Sequence, residues 1–391
     1  MKEDIIWAII GGGHGGQSMA GHLAIMGCRV RLYNRTARTI EEINKLGGIN
    51  IDGALQGFGG LELATTDIGE ALAGAHVVVV VTPATAHAEI ATKCASHLVD
   101  GQIVFLHPGA MCGAIEFREI LRNAGCTANI PVAESNHLLY ACRSSKPGYA
   151  EILAIKKDGL LATLPANKNH EILELLNEVF PQIRGGRNVL ETSLSNGAVI
   201  MHPAPTIFNL SMIESQHDWL YYSEGITPTI GAFAEDIDQE RVALGKSFGF
   251  DLPSVRELYR LIYGVQGESL SEICRKNPAY EKIRGQKDLR TRYILEDIPF
   301  GLVPMIELGR MQGLSMSRMK LIAELGQHLL RDNSFLSHGR TLANLGLGNM
   351  TSEEFAMFVQ TGERPAPTRP LWLSTRSRNC PRSGLSAENG D

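Results

Sequence analysis

Residues Gly11-Gly12-Gly13-His14-Gly15-Gly16 constrain this chain more than any other segment. They follow a short apolar run, Ile5 to Ile10, and lead into a helix-like stretch, Gln17 to Met26. A second strand pattern, Arg29 to Tyr33, comes next. Strand, glycine-rich turn, helix and strand is the context in which GxGxxG marks a dinucleotide-binding Rossmann unit. Gly11 allows the tight turn, Gly13 lets backbone approach a pyrophosphate, and Gly16 lets helix and strand pack closely. His14 and Gly15 complete the loop, and the helix N-terminus turns its unpaired N–H groups toward the phosphates.

The rest of the first half repeats the alternation. Val77 to Val81 is a run of valines, as expected of a parallel strand buried on both faces. Ile103 to Leu106 is another strand, and strands alternating with helices give a doubly wound α/β domain with a mostly parallel sheet. Glu151 to Lys156 and Leu160 to Leu164, joined by Lys157-Asp158-Gly159, read as a hairpin on its edge. A helix from His170 to Phe180 closes this domain near Arg187, giving residues 1–187. After Asn188 no strand pattern of any length occurs. Thr227-Pro228 starts a helix whose Ile230, Phe233, Ala234 and Ile237 share a face. Ser254…Glu257, Ser269…Glu272 and Thr351…Glu354 fit capping boxes. Residues 188–361 therefore read as an all-helical domain. Residues 362–391 hold four prolines, five arginines and few core-forming side chains. Disorder is expected there, with a partner-binding arm as the alternative.

Composition excludes several classes. A net charge of −5 and a pI near 6.2 oppose nucleic acid or a membrane surface as partner. No apolar run reaches the roughly 18 residues a membrane span needs. Seven cysteines without CxxC spacing indicate reduced thiols and no metal site. Glu3 and Asp4 stand where a secretory signal would be basic, so a cytoplasmic location is expected.

The end of the second strand selects the cofactor. A carboxylate there bonds the ribose 2′-hydroxyl of NAD. This chain reads Tyr33-Asn34-Arg35, with no acid before Glu41. Arg35 can pair with a 2′-phosphate, which favours NADP, with NAD open. The alternative is that Arg35 and Arg38 are solvated surface charges. Thr82-Pro83, after the valines, is placed against the ribose or nicotinamide.

In the second half, His202 is followed by Pro203 and Pro205, so a helix must kink or restart there. That break would expose the imidazole for proton transfer. Arg292 and Asp297 share a short apolar segment, as a carboxylate clamp and a histidine orienter would. Spacing alone leaves both open: His202 as a packed histidine beside a turn, Arg292 and Asp297 as a structural salt bridge.

These residues acquire direction from a resemblance. The chain resembles the opine dehydrogenases of octopine/nopaline type from about Ile5 to Phe358. The likeness rests on the glycine fingerprint, Asn196 with His202-Pro203, Tyr221-Tyr222-Ser223-Glu224-Gly225-Ile226-Thr227-Pro228, Asp238-Gln239-Glu240-Arg241, Asn277-Pro278-Ala279-Tyr280, and Arg292-Tyr293 with Asp297. It is similar within the family to the bacterial type that makes N-(1-carboxyethyl)-norvaline. That type carries an acid after its second strand, so cofactor choice is not carried over. The resemblance implies that an α-keto acid, pyruvate or 2-oxoglutarate, joins the amine of an amino acid and the imine is reduced. His202 would then move protons, Asp297 would hold its tautomer and favour the imidazolium, and Arg292 would grip a substrate carboxylate. Arg143 is a candidate second carboxylate ligand and Asn196 a candidate substrate or nicotinamide contact. The partners expected are small molecules, with a homodimer left open. Two other readings stand beside this one. The first is a two-domain keto-acid reductase without amine condensation; such enzymes often use a lysine donor, and no lysine lies between Pro181 and Gln239. The second is a non-catalytic NADP sensor, which predicts that His202 and Asp297 are not paired.

Overall fold

The computed structural model describes residues 4–365. The disorder expected of the tail lies outside the described residues from 366 onward. In 362–365, Arg364 forms an ion pair with Glu119 at 2.7 Å and donates to the Gly346 carbonyl.

Among the described residues, twelve strands form two sheets. In chain order they are β1 (Ile6–Ile10), β2 (Arg29–Tyr33), β3 (Gly48–Gly53), β4 (Gly57–Gly60), β5 (Leu63–Thr65) and β6 (Val77–Val80), then β7 (Ile103–Leu106), β8 (Val132–Ser135), β9 (Tyr140–Lys146), β10 (Tyr149–Ile155), β11 (Gly159–Leu164) and β12 (Ile183–Gly185). The main sheet has the order β12-β11-β8-β7-β6-β1-β2-β5 and is parallel except for the β11–β8 pair. The fingerprint thus sits at the C-terminal end of β1, between β2 and β6.

Alternation along these strands divides the interior into two cores. Ala8, Ile10, Val78, Val80, Val104 and Leu106 face one way, and Trp7, Ile9, Val77, Val79 and Phe105 the other. The second face packs on the helix His14–Ile25 and, beyond it, the four-stranded sheet β4-β3-β10-β9. Close approach there requires glycine: a Cβ on Gly21 would lie 2.6 Å from Ile51 Cδ1. The first face continues without interruption into the helical half, through Val189, Leu194, Val199 and Ile200.

The expected edge hairpin is not formed. Glu151 to Lys156 and Leu160 to Leu164 lie in different sheets. β10 pairs antiparallel with β9 across Pro147-Gly148, where Gly148 has φ +79°. β11 is buried at all six positions because β8 and β12 flank it. Solvent would cover one side of an edge strand; β11 has none to spare for it.

No β-strand follows Gly185 among the described residues. Thr227 caps Pro228–Ser247 by accepting from the Ile230 N–H. Ser254 and Thr351 form complete capping boxes, whereas Glu272 bonds the Glu268 N–H instead of that of Ser269. Arg241 is buried on the long helix, paired with Asp238 at 2.7 Å and donating to the carbonyls of Leu194 and Pro253. No helix among the described residues is long and apolar enough to cross a membrane.

Candidate active site

A cleft of about 470 Å³ runs from the glycine loop to the helices of the second half. At its Rossmann end the backbone dictates the glycines. Gly11 has φ +117°, and a Cβ on Gly16 would lie 1.7 Å from the Gly11 carbonyl oxygen. A Cβ on Gly13 would meet nothing within 4 Å, so the loop presents open space where a pyrophosphate would approach. His14, first residue of the following helix, is held by the Ser144 N–H donating to its Nδ1 at 2.8 Å. Burial, then the Arg143 charge, holds its pKa below the usual histidine value. Gly15 lies against Val81 and Leu138.

The next positions also fit a dinucleotide. Asn34 Oδ1 accepts from the Gly12 N–H at 3.2 Å, and Arg35 is exposed, 3.7 Å from Glu89. Thr82 and Pro83 line the cleft at the end of the valine strand. Thr82 Oγ1 and His137 Nε2 are buried there without a hydrogen-bond partner. Buried polar atoms are nearly always satisfied, so a pair left open on one wall suits a polar ligand.

His202 stands at the far wall. The helix Ala198–Met201 ends at it and Pro203–Phe208 begins after it, as the prolines require. The break does not expose the ring, contrary to expectation. His202 is 5% exposed because Tyr293 stacks on it at 3.8 Å and 2°. Its Nδ1 donates to Asp297 Oδ2 at 2.7 Å, and the Tyr222 hydroxyl lies 3.2 Å from Nε2. Nor does Asp297 prevail over desolvation: burial holds the His202 pKa below the usual value despite the carboxylate, and the charges of Arg292 and Lys156 push the same way. The imidazole is therefore neutral at neutral pH, a base rather than a ready acid.

Arg292 opens the short helix Arg292–Leu295. Its side chain is 56% exposed within the cleft, loosely opposed at 3.8 Å by Glu296 Oε2. Glu296 Oε1 accepts from the Ala84 N–H at 2.8 Å, joining the helical half to the segment after the valine strand. Asn196 lines the cleft, its Oδ1 accepting from the Ala198 N–H at the helix start. Arg143 lines the cleft at the glycine-loop end, its charge acting on His14.

Several site residues escaped sequence reasoning. Tyr222 lay within a quoted motif without a role. Lys156 ended a strand of the expected edge hairpin and was given no role, yet it lines the cleft, where burial brings its pKa down to about 8. Arg340 is wholly buried, donating to the carbonyls of Gly109 and Met111, to Glu116 and to His87 Nδ1. Only the sequence position of Lys156, at the end of a strand on the glycine-loop side of the fold, could have signalled its place.

Comparison with known proteins agrees with this arrangement. Residues 185–330 match the family model "NAD/NADP octopine/nopaline dehydrogenase, alpha-helical domain", and residues 7–109 match "NAD-dependent glycerol-3-phosphate dehydrogenase N-terminus". An opine dehydrogenase of Arthrobacter sp. (strain 1C) is 41% identical over 90% of this chain and 98% of its own. The ocs protein of Agrobacterium tumefaciens (strain Ach5) is 23% identical over 87% of this chain and 95% of its own. Among solved structures, an octopine dehydrogenase in complex with NADH and agmatine superposes with a TM-score of 0.74 at 18% identity, over 93% of this chain and all of the other. Yersinopine dehydrogenase with NADP+ bound gives a TM-score of 0.72 at 14% identity, over 88% of this chain and 97% of the other. The chain belongs to the opine dehydrogenase family: it is an NAD(P)-dependent oxidoreductase that reductively condenses an amino acid with an α-keto acid.

Proposed function

We propose that this enzyme joins an amino acid with an apolar side chain to pyruvate or 2-oxoglutarate, with NADPH as reductant. The observation that carries the reading is the buried His202–Asp297 pair, set in one cleft with Arg292 and the glycine loop. Residues 1–187 hold the dinucleotide, and 188–361 supply the proton-transfer groups and the clamp. The non-catalytic reading requires an unpaired His202, whereas the pair is made at 2.7 Å.

The chemistry follows from the protonation states. An amino acid arrives as an ammonium, and neutral His202 takes one of its protons, leaving an amine that attacks the keto carbon. Asp297 holds the imidazolium so formed. That proton returns to the carbinol oxygen, which leaves as water, and a protonated imine results. When bound, the dinucleotide supplies the hydride that reduces the imine carbon. That hydride completes the secondary amine, which takes up a solvent proton as its ammonium. Arg292 presents a planar fork to the keto-acid carboxylate, and Asn196 flanks the reacting groups. The apolar end of the cleft is formed by Leu153, Tyr259, Ile262, Tyr263, Tyr280 and Ile283. Of the carboxylates lining the cleft, Asp297 is engaged by His202, and Glu296 gives Oε1 to the Ala84 N–H and turns Oε2 toward Arg292 at 3.8 Å.

NADPH oxidation with pyruvate or 2-oxoglutarate against the twenty amino acids, with products identified by mass, tests the reading. Turnover should be confined to apolar amino acids. Preference for arginine or lysine would refute the substrate class, and keto-acid reduction without an amine would refute condensation. Arg292→Lys should raise the keto-acid KM while leaving NADPH affinity unchanged, since lysine keeps the charge and loses the fork.

The NADP preference is supported by the missing carboxylate after Tyr33 and by the exposed Arg35 guanidinium. A charge-assisted pair to phosphate is worth roughly 1.5–3 kcal/mol. NADPH should therefore exceed NADH at least about tenfold in kcat/KM, and Arg35→Ala should erase most of the gap. Equal use of both cofactors by the unmutated enzyme would refute it. The same reading places the enzyme in the cytoplasm, supported by seven cysteines without CxxC spacing, and includes a homodimer, which sedimentation would test.

A further inference from the structure

The product of this reaction carries an α-carboxylate on each side of a single nitrogen. Arg292 accounts for one. Lys156 lines the same cleft, yet among the described residues no carboxylate forms an ion pair with it. A half-buried ammonium without a counter-ion is costly, and burial together with the Arg292 charge lowers its pKa to about 8. The backbone fixes where the residue stands. Lys156 N donates to the Leu139 carbonyl at 2.8 Å, and Lys157 N donates to that of Ile262 at 3.2 Å. The chain at Lys156 is thereby held beside Ile262, one of the apolar residues lining the cleft, and its charge interacts with those of Arg292 and His202.

An amino acid bears its carboxylate and its side chain on the same carbon. A cation beside the apolar end therefore meets the carboxylate of whichever substrate inserts its side chain there. We propose that Lys156 receives the carboxylate of the amino-acid substrate while Arg292 receives that of the keto acid. This rests on the reading of Arg292 and of the apolar end given above. Arg143, another cation lining the cleft, lies close enough to His14 at the glycine loop for its charge to lower that pKa.

The test compares the unmutated enzyme, Lys156→Met and Lys156→Arg with L-leucine and with 3-methylbutylamine, which is leucine without its carboxylate. Pyruvate and NADPH are held saturating, and NADPH affinity reports folding. Lys156→Met should raise the leucine KM roughly 10- to 100-fold, the loss of one charge-assisted contact. The preference for leucine over the amine should fall by the same factor. Pyruvate KM should move less than about twofold, and Lys156→Arg should restore leucine binding in part. An unchanged leucine KM in Lys156→Met overturns the assignment alone, as does a rise confined to pyruvate. A loss confined to kcat would make Lys156 a proton donor and overturn it too. If the unmutated enzyme turns over no apolar amino acid with pyruvate, the underlying substrate reading fails and the assignment falls with it.

Discussion

His202→Ala and Asp297→Asn should each lower kcat by about two to four decades while NADPH still binds. The expectation follows from their arrangement. Asp297 accepts a hydrogen bond from Nδ1 at 2.7 Å, leaving the Nε2 lone pair for exchange on the side of Tyr222 and the cleft. Asparagine can still accept from Nδ1 but can also donate, and it carries no charge to stabilise the imidazolium. Because the two residues act as a unit, the double mutant should be little worse than His202→Ala. Fully additive losses would show separate roles. The pH profile adds a check of sign. In the free enzyme burial lowers the His202 pKa, and Arg292 and Lys156 lower it further. Substrate carboxylates neutralise those two cations, so the pKa rises in the complex. The basic form is active, so rate falls as pH drops through this pKa. The acid limb of kcat should then lie at higher pH than that of kcat/KM; the reverse order would count against substrate carboxylates at these cations.

The largest effect on stability is expected at Arg340. Its guanidinium is fully buried and joins the helical half to Gly109, Met111, Glu116 and His87. Arg340→Met leaves two carbonyls unpaired and the Glu116 charge uncompensated. Breaking a buried pair in this way costs about 3–5 kcal/mol. The midpoint of denaturant unfolding should fall accordingly. Pro108 and Ala110, in the segment that Arg340 holds, line the cleft, so the NADPH KM should rise as well. Arg340→Lys should recover little, because lysine lacks the fork that spans these acceptors. A variant within about 1 kcal/mol of the unmutated enzyme would show that the network is dispensable.

What could be read without coordinates was local. The glycine fingerprint and the valine strand are legible because turn geometry and double-sided burial restrict residue type within a few positions. The second sheet was missed because Gly48, Gly53, Gly57, Gly59 and Gly60 read as loop. Gly59 is a glycine so that its strand can lie against the helix beneath: a Cβ there would be 2.4 Å from the Gly21 carbonyl oxygen. The His202–Asp297 pair spans 95 positions, and Arg340 reaches back 231 to Gly109. No period or spacing encodes such partners; the first came from resemblance and the second not at all. The His202 charge state was misjudged because a sequence shows the carboxylate but not the burial that opposes it.

The uninterrupted core between the sheet face and the helices bears on how such enzymes can be rebuilt. Val78, Val80 and Leu106 on one side meet Val199, Ile200 and their neighbours on the other within a single apolar body. A fragment cut near residue 187 would bare that face to water, so calorimetry of the whole chain should show one heat-absorption peak rather than two. The helical half is consequently no interchangeable cassette. Moving it between relatives to alter substrate choice would require recutting the valine face it rests upon.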